Sequence, residues 1–166
     1  MARTKNKTQS SPQDIIQLIL KDHKPLKAMI KIMKSEKGTL AQKKATFEKF
    51  APTLIAHAKP EEKTWYVSMK VTHDMGVEGT EGDVEHGLAD QLCTELKATT
   101  DHDMFMAKIK VLAELVEHHV EEEESVLLPK FRRASSREER RELGQKYLNL
   151  QSQFTEDKKS KLALVA

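Results

Sequence analysis

The chain has 166 residues, 28 Lys and Arg against 26 Asp and Glu, seven His and one Cys. That length supports one domain with a sizeable core, and the near-balanced, interleaved charges exclude the basic stripe that a nucleic-acid binder needs. A lone Cys93 excludes an internal disulfide framework or a cysteine-based zinc site, and no run is apolar enough to span a bilayer, so any metal must sit on His and carboxylate.

Gly and Pro are few, while Lys, Glu, Leu and Ala recur, which predicts an all-α protein. The basic opening "MARTKNKTQSS" is followed by no apolar leader core, and residues 1–11 are expected to be a disordered tail on a cytoplasmic protein. Ser11 and Pro12 read as N-cap and first helical position. Pro25 predicts a break, with a short helix ending near Lys21, a new cap at Asp22, and a second helix carrying Leu26, Ile30 and Met33. From Leu40 to Met69, residues Phe47, Phe50, Leu54, His57, Glu61, Trp65 and Met69 recur at helical steps, and this phase predicts one helix bent at Pro52 and Pro60.

The stretch "THDMGVEGTEGD", residues 72–83, reads as a loop. A helix follows with His86, Ala89, Cys93 and Leu96 on one stripe. "TTDHD", residues 99–103, is a turn, and the next helix runs to about Phe131. Ser136 and Glu139 have the spacing of a capping box, opening a last helix with Leu143, Tyr147, Leu150 and Phe154 on its apolar face. These elements predict an antiparallel up-down four-helix bundle over 12–134 and an added C-terminal amphipathic helix with its tail over 135–166.

Within "LVEHHVEEEESVLLP", helical phase puts Phe105, Ile109, Leu112, Val116, Glu123, Val126 and Leu127 on the side of His119, within about a quarter-turn. His119 therefore points inward with Glu123 one turn above it. Glu121 and Glu124 face away, and His118, on a poorer stripe, is the substitute ligand that a small helix rotation would exchange with His119. His57 and Glu61 repeat the His-x-x-x-Glu pair on another apolar stripe. Two glutamates buried at one level of a bundle each carry a penalty that a multivalent cation removes. His23 and His86 supply one imidazole from each remaining helix. Four imidazoles and two carboxylates suit two metals, with the carboxylates as bridges, an oxo or hydroxo bridge, and an open position for a small molecule such as dioxygen.

The ordered set "KDHKPL", "HAKPEEKTWY", "VEHGLADQL" and "HHVEEEESVLLPKF" resembles the hemerythrin-like (HHE cation-binding) domains, which are non-haem di-iron four-helix bundles. The resemblance implies that His23 and His57 bind one iron, that His86 and His119 bind the other, and that Glu61 and Glu123 bridge them. Oxygen-carrying members have a further histidine where this chain has Gly82, which argues against reversible oxygen storage and leaves the second iron more open. The expected role is binding or sensing of oxygen, nitric oxide or peroxide. The alternative is an enzyme that decomposes peroxide or nitric oxide, or an iron donor for cluster repair. A metal-free structural bundle is the remaining class.

Other residues have plainer expectations. His73 and His102 are assigned to surface loops, and Tyr66 to the edge of the core, with approach to the metals as a redox-active or hydrogen-bonding group as its alternative. Met29, Met33, Met69, Met104 and Met106 are read as core fillers and Cys93 as a buried apolar group. The apolar end "LALVA" suits packing on the bundle or on a second copy or another protein.

Overall fold

The computed structural model describes residues 13–163, with side chains through Phe154. The basic tail, the Ser11–Pro12 start and the end of "LALVA" lie outside that description. The described residues form an all-α bundle without strands. None of its helices is long and apolar enough to cross a membrane.

Helix α1 runs from Ile15 to Lys34, and its N-cap is Asp14, whose carboxylate accepts from the Ile16 N–H at 3.0 Å. It is one helix, not two. Pro25 lies inside it, at a cost of about 3 kcal/mol for an ordinary helix interior. The stripe Ile15, Ile19, His23, Leu26, Ile30 and Met33 stays buried on both sides of the proline, so burial carries the helix through. Asp22 does not cap. Its carboxylate accepts from the Tyr147 hydroxyl and the Gln151 amide.

Helix α2, Leu40–Lys63, opens with a capping box between Thr39 and Gln42 and contains both Pro52 and Pro60. The bent helix expected to reach Met69 instead stops at Thr64 and restarts as α3, Trp65–Thr72. At the break the Thr64 N–H turns to the Glu61 carbonyl at 3.1 Å, while the Thr64 hydroxyl donates to the Pro60 carbonyl at 2.7 Å. The last turn therefore tightens, and the helix face rotates. Trp65, Tyr66, Ser68 and Met69 all end up buried, which one uninterrupted stripe does not allow.

The loop expected over 72–83 shrinks to a turn around His73–Met75, with Asp74 at φ 50°, before helix α4, Gly76–Ala98. Its glycines serve close packing. A Cβ at Gly79 would stand 2.9 Å from Lys70 Cγ, and one at Gly82 would stand 2.6 Å from Tyr66 Cζ, so α3 and α4 approach only because both are glycine.

Helix α5, His102–Glu122, is capped by Asp101 and leads through a π turn, Glu123–Leu127, into α6, Leu128–Ala134. Pro129 has no N–H to give to the preceding turn. The wider turn slips the phase, so Val126, expected inside, is 51% exposed, and Leu127 and Leu128 are both buried. Helix α7, Arg137–Ala163, starts with the Ser136 hydroxyl accepting from the Glu139 N–H. The Glu139 carboxylate is engaged by Ser68 and His73. His73 is thus no surface residue: its ring packs edge-on against Phe131. Met33 and Met69 are buried as expected, whereas Met104 is largely exposed.

Helices α1 and α5 pack together, α2 lies against α1 and α4, α4 against α5, and α7 rests on α1 and α2. The core has two apolar clusters. One gathers Leu26, Ile30, Phe50, Cys93, Phe105 and Ile109; the other gathers Ile15, Ile19, Trp65, Phe131, Leu143 and Tyr147. Between the two clusters lie His23 on α1, His57 and Glu61 on α2, and Glu123 after α5, with His86 of α4 and His119 of α5 beside them.

Candidate metal centre

All six candidate residues, His23, His57, Glu61, His86, His119 and Glu123, are buried in that layer. His119 points inward, whereas the His118 side chain is 72% exposed beside Glu122. The rings fall into two pairs. His23 and His57 have centroids 4.9 Å apart, and His86 and His119 4.7 Å apart.

The two carboxylates link the pairs. Glu61 Oε2 lies 3.2 Å from His57 Nε2 and 3.7 Å from His86 Nε2. Glu123 turns Oε2 to His23 Nε2 at 3.1 Å and Oε1 to His119 Nε2 at 3.4 Å. Donor atoms of His23, His57, Glu61 and Glu123 lie within 4.8 Å of one another, as do those of Glu61, His86 and His119. Each carboxylate is therefore within reach of both histidine pairs.

The outer face of each ring is also fixed. Glu124 lies 3.0 Å from His23 Nδ1, Glu85 lies 2.5 Å from His119 Nδ1, and Glu62 lies 3.3 Å from His86 Nδ1. The Tyr147 hydroxyl lies 3.3 Å from His57 Nδ1. With Nδ1 turned outward, every Nε2 faces the shared carboxylates, the orientation in which an imidazole offers a lone pair to a cation. Glu124, expected to face away, reaches His23 because it lies within the π turn.

Among the described residues, five inward atoms have no hydrogen-bond partner, His23 Nε2, His57 Nε2, both Glu61 oxygens and Glu123 Oε2, and on the outer side His86 Nδ1 has only its ion-pair contact with Glu62. A buried polar atom left unpaired costs about 1–3 kcal/mol, so five in one layer are a large penalty for a metal-free core. Their chemistry fits a metal pair. Imidazole nitrogens and carboxylate oxygens form the mixed donor set that iron, manganese or zinc accepts.

Electrostatics carry the same message. Burial, reinforced by the nearby Glu123 charge, pushes the Glu61 carboxyl well above the usual range. Burial and the neighbouring His23 push His57 well below its ordinary value. For Glu123 burial acts upward, but His119 and His23 together outweigh it and hold the carboxyl well below the usual range. Burial pulls His119 down, yet Glu123 and Glu85 outweigh it and raise the imidazole to about 10. Without a cation, burial therefore favours the protonated Glu61 carboxyl, and Glu123 with Glu85 favours the protonated His119.

Tyr66 takes the less favoured of its two expected places, at the metal ligands rather than at the edge of the core. It is fully buried, its hydroxyl donates to Glu123 Oε1 at 2.6 Å, and its oxygen lies 3.3 Å from His119 Nε2 and 3.5 Å from His86 Nε2. Its ring stacks on His86 and fills the space beside Gly82. The opening anticipated from the missing side chain at residue 82 is therefore occupied by a phenol. The absence of any side chain at 82 was the available sequence signal, but the break at Thr64 that turns Tyr66 inward was not foreseen.

No curated protein and no solved structure gives a significant match to the chain. The family profile described as the hemerythrin HHE cation binding domain matches residues 14–131, a span that holds all six candidate ligands, and the chain belongs to that family.

Proposed function

We propose that the protein is a non-haem di-iron protein that binds a small oxidant, oxygen, nitric oxide or peroxide, as a binding or sensing element of the cytoplasm. His23 and His57 would hold one iron and His86 and His119 the other. Glu61 and Glu123 would span the two, with an oxo or hydroxo bridge completing the pair. The observation that carries this reading is the convergence of four Nε2 atoms on two shared carboxylates, with every Nδ1 turned outward. Such an iron pair supplies a Lewis-acidic, redox-active site for a diatomic molecule or peroxide.

The chain's own residues orient and seal this site. Glu85 and Glu124 fix the orientations of His119 and His23, Glu62 lies beside His86, and the two apolar clusters on either side keep bulk water away. Tyr66 favours the second reading, an enzyme acting on peroxide or nitric oxide. Its hydroxyl already donates to Glu123, so a proton is held within hydrogen-bond distance of the groups that face the second iron. The test is to mix the iron-loaded protein with excess peroxide or nitric oxide and follow consumption. One equivalent taken up and then no further loss is the result expected of a binding protein. Sustained consumption that falls in Tyr66→Phe would establish the enzymatic reading instead.

A further inference from the structure

The outer supports of the four histidines differ in origin. Glu62, Glu85 and Glu124 lie inside the stretch that matches the family profile, residues 14–131. The support of His57 comes from Tyr147, on helix α7 and beyond that stretch. The Tyr147 hydroxyl donates to Asp22 Oδ2 at 2.8 Å. A phenol whose only proton goes to Asp22 has only lone pairs left for His57, 3.3 Å away. His57 must then carry its hydrogen on Nδ1, which leaves Nε2 as a lone pair facing Glu61.

The helix is held in register for this contact. Tyr147 is fully buried, and one turn earlier Gly144 lets α7 press on the start of α1, where a Cβ would stand 1.9 Å from the Gln13 carbonyl oxygen. Leu143 joins the cluster around Trp65, and the Gln151 amide donates to the same Asp22 oxygen at 2.5 Å. Gly144, Tyr147 and Gln151 follow one another at three- or four-residue steps and form one face of α7. That face clamps Asp22 and His57.

We propose that Tyr147 is a positioning residue for His57, and that α7 is thereby part of the metal site rather than an appendage to the bundle. The inference rests on the reading of His57 as a metal ligand. It makes docking of α7 and metal retention two ends of one equilibrium, since linkage between two sites is reciprocal.

The test is release of iron from the loaded full-length protein to a ferrous chelator under reducing conditions, in the wild type and in Tyr147→Phe. Failure of the wild type to load iron would overturn the ligand reading itself. If it loads, Tyr147→Phe is expected to release one of its two irons roughly 10–100-fold faster and the other at the wild-type rate, the loss usual for an outer hydrogen-bond partner. A merely structural role would accelerate both irons together and lower the melting temperature of the metal-free protein. That result, or unchanged release, would overturn the proposal. Asp22→Ala is the second variant: it frees the phenol proton to turn toward His57, and the same selective acceleration is expected. Amides of residues 143–151 are expected to exchange more slowly with iron bound, and equal exchange in both states would overturn the link to α7.

Discussion

Filling the centre should expel protons from the ligands whose protonated forms the metal-free layer favours. In the metal-free layer burial pushes the Glu61 carboxyl toward its protonated form, while Glu123 and Glu85 raise His119 to about 10. A metal ligand must be a carboxylate or a neutral imidazole, so both protons leave on binding. Anaerobic ferrous titration calorimetry at pH 7.5, repeated in buffers of different ionisation enthalpy, is therefore expected to give about two protons released per chain filled. Each proton makes apparent affinity rise about tenfold, or about 1.4 kcal/mol, per pH unit, so binding strengthens from pH 6 to 8. Glu61→Gln has no such proton to lose, and its count is expected to fall by about one. A buffer-independent enthalpy, or proton uptake, would refute the reasoning. The same groups govern the metal-free fold. His119 has a folded value raised from 6.5, so its stabilisation is complete below that value and lost as pH rises through about 10. Glu61, raised as well, costs stability as pH climbs above its unfolded value, so both act in one direction. The melting temperature of the metal-free protein is expected to fall on going alkaline.

Two substitutions test the packing and the outer shell. Gly82→Ala sets a Cβ 2.6 Å from a Tyr66 ring that also contacts Trp65 and His86. Overpacking of about 1–3 kcal/mol, offset by about 1 kcal/mol of helix propensity, leaves a net loss of roughly 0–2 kcal/mol in urea unfolding. A gain in stability would show that the ring has room to move. Glu85→Gln weakens the hold on His119 Nδ1 and is expected to reduce metal affinity roughly 10–100-fold in chelator competition. Glu122→Gln, beside the exposed His118, should leave affinity unchanged.

The inward stripes could be read from periodicity wherever a helix keeps its phase. His57 with Glu61, and His119 rather than His118, are separated by spacing alone, because 3.6 residues per turn divides one face from its neighbour. Periodicity failed where the backbone changes phase. The break at Thr64 brings Trp65 and Tyr66 inside together, and the π turn at Glu123–Leu127 exposes Val126 and turns Glu124 toward His23. Both follow from local backbone hydrogen bonding near a proline, which a count of apolar residues does not register. Pro25 misled in the opposite direction, since a strong apolar stripe carried α1 through it. The glycines of 76–82 were taken for a loop because glycine spacing alone does not distinguish a flexible segment from a close helix contact. The outer partners Glu62, Glu85 and Glu124 sit beside ligands in sequence, yet only the folded arrangement turns them onto Nδ1. Tyr147 has no such adjacency and lies 90 residues from His57.

Two irons held between His23, His57, Glu61, His86, His119 and Glu123 would show in the iron content and visible absorption of the aerobic protein isolated from cells, compared with His119→Ala and His118→Ala. Two irons per chain with the charge-transfer bands of an oxo-bridged ferric pair, lost in His119→Ala and retained in His118→Ala, is the predicted result. A wild-type protein that contains no iron, or bands that survive His119→Ala and vanish in His118→Ala, would contradict it.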